Sequence, residues 1–314
     1  MEKRTLGRSG ISITPLVFGG NVFGWTADQA RSFELLDRLV ERGFNAIDTA
    51  DSYASWAPGL SGGESETVLG QWLAQRGRRD DIVLMTKVGM LEQRKGLSAA
   101  NIEAAVEDSL KRLGTDYIDI YFAHVDDETV PLAETLTAFD KLVKAGKVRA
   151  LGASNYSAER LREALEVSKV QGLARYEVVQ PLYNLHDRED FESGLAALVQ
   201  EQEVSAVTYF SLASGFLTGK YRKVEDLQGS ARADFMQHYF SERGQRILQE
   251  LLAVSDEVAA PPAQVALAWL LSRPGVTAPI ASATNLAQLD EILDAVTLSL
   301  PEPLLARLNE ASAS

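Results

Sequence analysis

The chain contains no cysteine, which excludes a disulfide framework and a thiolate nucleophile. Histidine is scarce: His124, His186 and His238 are scattered without metal-ligand spacing, so no metal is expected. No apolar run approaches the length needed to cross a bilayer. The opening MEKRTLGRSGISITPLVFGG also lacks an uninterrupted apolar segment with a small-residue cleavage signal, so cytoplasmic residence without a membrane partner is expected. Positive charge is outnumbered, with 31 lysines and arginines against 44 acidic residues and a formal charge of −13. Such a field disfavours binding to nucleic acid, although a local basic pocket can still hold a small anion.

What is present is a soluble globular composition, 46% hydrophobic and 24% charged. By length alone, 314 residues fit one large barrel or two modest domains. Residues 3–14 read as a hairpin around Gly10, followed by an apolar strand, Leu16 to Phe18, and then a helical pattern in ADQARSFELLDRLVER that stops at Gly43. The same unit recurs. FNAID, DIVLMTK, YIDIYFAH, VRALGAS, YEVVQ, SAVTYF and VTAPIAS are short apolar runs, each followed by a helical pattern. Counting the first strand, eight buried parallel strands with helical crossovers favour a closed (β/α)8 TIM barrel of the α/β class. No linker-like seam interrupts it, so residues 1–314 are expected to form one domain with an N-terminal β-hairpin. An open doubly wound sheet is the alternative, but its dinucleotide fingerprint after the first strand is missing. Residues 211–240 form a long loop after strand 7, of the length usual for a binding loop or lid.

A barrel of this kind carries its chemistry at the carboxyl ends of its strands. Asp48, Lys87 and His124 end the second, third and fourth runs, and Tyr53 follows in the loop after Asp48. A lysine ammonium near a phenol is expected to lower its pKa, an aspartate to hold that ammonium, and an imidazole to donate to a developing oxyanion. Together they suit protonation of a carbonyl oxygen while a nucleophile such as hydride adds at carbon. Taken singly, Asp48 reads equally as a cap, Tyr53 as a loop aromatic, Lys87 as half of a structural ion pair and His124 as a donor to a backbone carbonyl.

These residues lie in GFNAIDTADSY followed by GGESETVLG, in MTK and in YFAH. With them, nearly the whole chain resembles the aldo-keto reductase superfamily, in particular its bacterial and potassium-channel-beta-subunit-like branch. The resemblance implies a catalytic tetrad of Asp48, Tyr53, Lys87 and His124. It further implies that Ser154 and Asn155 of GASN, with Gln180 of VVQPLYN, bind a nicotinamide carboxamide, and that Tyr209 stacks on the ring. SLASGFLTGKY resembles the pyrophosphate loop, which assigns Ser211, Leu212, Gly215 and Lys220 as contacts. PIASATNLAQLDEI resembles the segment around an adenosine 2′-phosphate, with Ser282, Thr284 and Gln288 as contacts. Here the chain departs from the pattern: it has Ala281, Ala283 and Thr284 where many relatives carry an arginine or lysine. NADPH remains the implied cofactor, with NADH or dual use given added weight.

The expected activity is therefore reversible, NAD(P)H-dependent reduction of a small aldehyde or ketone, with tyrosine as general acid/base. Phe23, Trp25, Trp56 and Val88 are expected to wall the substrate site, favouring aromatic or aliphatic carbonyls. Two other readings stay open: a nicotinamide-binding regulatory protein with little turnover, and a barrel aldolase or isomerase using Lys87 as a Schiff base. A monomer is expected, since the surface helices show no assembly stripe.

Overall fold

Two short strands, β1 (Arg4–Thr5) and β2 (Ser12–Ile13), pair antiparallel into a hairpin, as the sequence predicts. Gly7 lies in its turn at φ +53°, and a Cβ there would come within 2.5 Å of the Glu177 carbonyl oxygen, so the close approach demands glycine. The hairpin plugs the barrel floor: Leu6, Ile11 and Ile13 pack with the interior side chains of the strands. The computed structural model describes residues 2–313, so Met1 and Ser314 of the expected domain lie outside the described residues.

Eight parallel strands follow: β3 (Val17–Gly19), β4 (Ala46–Asp48), β5 (Val83–Val88), β6 (Ile118–Ala123), β7 (Val148–Ser154), β8 (Tyr176–Gln180), β9 (Ser205–Thr208) and β10 (Val276–Ala281). They pair in sequence order, and β10 closes on β3. The layer outside the strands is α1 (Gln29–Glu41), α2 (Glu64–Arg76), α3 (Ala99–Leu113), α4 (Leu132–Lys144), α5 (Ala158–Gln171) and α6 (Ala196–Glu201). It continues with α7 (Ala233–Met236), α8 (Glu242–Val258), α9 (Pro262–Leu271), α10 (Leu286–Asp294) and α11 (Glu302–Ala311). Asp28, Ser98, Ser157, Ser241 and Asn285 cap five of these helices by accepting a hydrogen bond from the first turn.

The core divides by the pleat. Ala46, Met85, Ile120, Phe122, Val178 and Val207 fill the barrel, while Ile47, Leu84, Tyr121 and Val179 face the helices. Phe122 lies over Gly152, where any Cβ would meet its ring at 2.3 Å, so this layer is filled by one large ring opposite no side chain. Three details differ from the sequence expectation. The helix after β8 begins as a π turn, Phe191–Leu195. The excursion of 211–240 holds short helical turns, including Ala213–Thr218 and α7, and it leads into two helices, α8 and α9. Most of α9 is buried and its residues are almost all apolar, so it offers no alternation of polar and apolar faces by which to read it.

Candidate active site

The period of two in each strand sets the site. Asp48, Lys87, His124, Gln180, Tyr209 and Ser282 each stand two residues beyond a barrel-filling side chain: Ala46, Met85, Phe122, Val178, Val207 and Ile280. They continue the interior face past the last apolar layer, to the carboxyl end of the barrel. Ser154 follows Ala150 in the same phase on β7.

Lys87 is fully buried and Asp48 is 1% exposed. Lys87 Nζ donates to Asp48 Oδ2 at 2.7 Å, to the Tyr53 hydroxyl at 2.7 Å and to the Thr49 carbonyl at 2.8 Å. The Tyr53 hydroxyl donates to the same Asp48 oxygen at 2.8 Å. Gln180 Nε2 takes the other carboxylate oxygen at 2.9 Å, so the buried ion pair has its lone pairs and protons satisfied, which is what makes burial of both charges tolerable. The loop that carries Tyr53 is pinned to β5, with the Thr49 amide donating to Met85 O and the Asp51 amide to Lys87 O. Just past Tyr53, Ala54 adopts φ 76°, an unusual left-handed conformation for a residue with a Cβ.

Burial, followed by the Asp48 carboxylate, pushes the Tyr53 phenol well above its ordinary range. The direction is opposite to the lowering expected from Lys87, because desolvation comes first and the shared carboxylate second. The phenol thus keeps its proton at neutral pH. Burial also lowers the Lys87 ammonium, against the opposing pull of Asp48. Burial and the Lys87 charge hold His124 well below the usual imidazole range, hence neutral. Its ring lies 6.1 Å from that of Tyr53, edge to face, and Ser52 Oγ approaches its Nδ1 at 3.5 Å.

The residues assigned to a cofactor form three groups. Asn155 Nδ2 donates to His124 O and Ser154 Oγ, and its Oδ1 accepts the Tyr209 hydroxyl at 2.7 Å. Ser154 Oγ donates to Gln180 O. Gln180 is thus committed through Nε2 to Asp48, a contact that sequence reading missed. In the excursion, Phe210, Ala213, Ser214 and Gly215 all have positive φ, which folds the backbone tightly. Ser211 is buried with its hydroxyl on Thr208 O, Leu212 is half-buried, and Lys220 is exposed. Ser282 Oγ donates to Asn21 Oδ1, whereas Thr284 donates through both amide and hydroxyl to Gln288 Oε1.

Two of the expected substrate residues are core instead. Val88 is one residue past Lys87, so the pleat turns it outward toward the helices, and Phe23 stacks on Phe18; neither has exposed surface. Trp25 and Trp56 do stand at the mouth: Trp56 meets Tyr53 edge-on at 5.8 Å and Trp25 at 5.6 Å. Sequence reading also missed Arg232, whose guanidinium carbon lies 5.9 Å from the Trp25 ring. It makes no ion pair among the described residues, and burial lowers its pKa. Its only sequence signal was an arginine within an excursion long enough to bind something.

A family model described as the aldo/keto reductase family matches residues 15–313. An uncharacterized oxidoreductase, YrpG, of Bacillus subtilis (strain 168) is 33% identical over 99% of this chain and 95% of its own length. A probable voltage-gated potassium channel subunit beta of Oryza sativa subsp. japonica is 33% identical over 96% of this chain and 94% of its own. The aldo-keto reductase YhdN of Bacillus subtilis (strain 168) is 30% identical over 93% of this chain and 88% of its own.

Proposed function

The chain belongs to the aldo/keto reductase family, and from that premise we propose that it reversibly reduces an aldehyde or ketone with NAD(P)H, using Tyr53 as the general acid. The observation that carries this reading is Lys87 Nζ bonded at once to Asp48, Tyr53 and the Thr49 carbonyl. The adjoining residues suit the cofactor: the Asn155 amide and Ser154 hydroxyl, bonded here to His124, Gln180, Tyr209 and each other, carry the donors and acceptors that a carboxamide would take over, beside the half-exposed ring of Tyr209. Lys220 and Arg232, without ion pairs among the described residues, suit its phosphates. When bound, the cofactor supplies the hydride that adds to the carbonyl carbon.

The chain supplies the rest. Neutral His124 donates an N–H to the carbonyl oxygen and orients it. The Tyr53 hydroxyl rotates from Asp48 to that oxygen and gives up its proton, so the product is the alcohol and the residue is left a phenolate. Lys87 stabilises that phenolate across 2.7 Å, Asp48 holds the ammonium in place, and solvent restores the proton. The same groups run backwards for alcohol oxidation. As an ammonium Lys87 has no lone pair with which to attack a carbonyl, and its three bonds to Asp48, Thr49 and Tyr53 favour that form, which disfavours the Schiff-base reading.

Trp25, Trp56 and the exposed Met90 and Phe210 give the mouth an apolar character, so aromatic or aliphatic carbonyls are the proposed substrates. NADPH is the proposed cofactor, with Arg232 taking the role of the guanidinium missing near Ser282. In this reading the protein works as a cytoplasmic monomer, and a stable oligomer in solution would overturn the monomer part.

The deciding experiment is Tyr53→Phe. Reduction of a benzaldehyde-type substrate falls by roughly 10²–10⁴-fold, while cofactor binding, followed by nicotinamide fluorescence, is retained. Full activity in the variant would sink the assignment. The similarity to proteins named channel beta subunits supports a second, regulatory reading. Tight cofactor binding without useful turnover on a broad carbonyl panel would favour it.

A further inference from the structure

Across the barrel wall from the tetrad lies a polar cluster that carbonyl reduction does not use. Thr86 and Tyr121 pair across β5 and β6, one residue out of phase with Lys87 and Phe122, so their side chains leave the interior for the layer of α2 and α3. There Thr86 Oγ1 donates to Glu66 Oε1 at 2.6 Å and Arg112 Nε to Glu66 Oε2 at 2.7 Å. The loop after β4 brings Asp51 to the same cluster, 1% exposed. Its amide donates to the Lys87 carbonyl at 3.3 Å. Yet no side chain hydrogen-bonds either carboxyl oxygen of Asp51, on which only the adjacent Ser52 amide bears, and the buried Tyr121 hydroxyl has no partner among the described residues.

The charges here close in pairs, Lys87 with Asp48 and Arg112 with Glu66. Asp51 is a third carboxyl against two cations. Ionised, it is an unpaired charge in the interior; as a neutral acid it loses that penalty and gains an O–H donor. The groups that bear on it are Glu66 from α2, Arg112 from α3, Lys87 from β5 and Tyr121 from β6, with Arg94 from the turn before α3 acting on Tyr121. Burial and then Glu66 outweigh Arg112, the Ser52 amide and Lys87, pushing the carboxyl up to about 7.

We propose that Asp51 is a positioning residue for the catalytic loop that works as the neutral acid, and that its ionisation weakens carbonyl reduction by setting an unpaired negative charge behind Lys87. This rests on the reductase reading. Asp51 lies between Asp48 and Tyr53 in the loop, and its backbone is tied to that of Lys87. A second carboxylate competes with the Tyr53 oxygen for the field of the ammonium, so the phenolate left by proton donation is less stable.

The test is the pH profile of kcat/KM for one aldehyde, from pH 5.5 to 9, in wild type and Asp51→Asn, together with 13C NMR of protein labelled at the aspartate carboxyls. In wild type, kcat/KM falls roughly tenfold between pH 6 and 8; in Asp51→Asn it stays near the acid-side level across that range. One carboxyl resonance, absent from Asp51→Asn, titrates in the same window; Asp51→Ser provides the assignment if the asparagine variant does not fold. A flat wild-type profile, an unchanged inflection in the variant, or an Asp51 resonance titrating below pH 5 would each overturn the proposal. Absence of reduction at every pH would instead remove the reductase reading. The resonance would then still decide the charge state, titration near neutrality keeping the neutral acid and titration below pH 5 excluding it.

Discussion

Gln180 Nε2 donates to Asp48 Oδ1 at 2.9 Å, joining residues 132 apart in the chain. The contact spans the barrel mouth from β8 to β4, strands that are not neighbours in the sheet. It fixes the carboxylate that in turn fixes Lys87, so a residue read in the sequence as a cofactor contact supports the buried Asp48–Lys87 pair. Replacing Gln180 with leucine leaves a buried carboxylate oxygen without its donor. The expected cost is about 1–3 kcal/mol, measured by urea unfolding, and an unchanged midpoint and slope would show that the bond contributes nothing.

The ion pair itself gives a second prediction. Lys87→Met strands Asp48 as an unpaired buried charge and destabilises the fold by about 3–5 kcal/mol. Adding Asp48→Asn removes that charge and recovers part of the stability, while carbonyl reduction stays lost in both proteins. Chemical denaturation and steady-state turnover on the same samples separate the two effects. Recovery of activity along with stability would mean that Lys87 has only a structural role.

Asp51 makes stability depend on pH with a definite sign. Its carboxyl is raised from 3.8 to about 7 in the folded protein, so between those values the native state binds more protons than the unfolded state. Stability from this group is therefore full at acid pH and is lost as pH rises through the window. Wild type should lose up to roughly 4 kcal/mol relative to Asp51→Asn between pH 4 and 8. A difference between the two proteins that does not change with pH would contradict the raised value.

Arg232 provides the cofactor test. Its guanidinium is half-buried against Trp25 without an ion pair among the described residues, which leaves it available to an anion. Arg232→Met is expected to weaken NADPH by roughly tenfold or more and NADH much less, read by fluorescence titration at one salt concentration. Equal weakening of both would assign the residue to the pyrophosphate rather than the 2′-phosphate.

Much of this architecture was legible before any coordinates. The recurring apolar runs each became a barrel strand, because a parallel strand buried on both faces must be apolar along its length. A polar residue ending such a run stands out for the same reason, as Asp48, Lys87 and His124 do. What failed was phase and partnership. Val88 is expected in the substrate wall, but it adjoins Lys87 on the strand, adjacent strand residues point to opposite faces, and it belongs to the outer core. The helix α9 is too uniformly apolar to show a face, and Arg232 carries no local pattern at all.

The sequence by itself determined where strands and helices begin, through hydrophobic period, caps and glycine stops, and which polar residues end the strands. These are local matters, decided within a few residues. Only the tertiary structure decided that Lys87 meets both Asp48 and Tyr53, that Gln180 reaches Asp48, and that Asp51 is left without a side-chain partner on the far side of the wall. Those outcomes depend on how the sheet closes and on how many charges end up in each buried space, and no local stretch of chain carries that count.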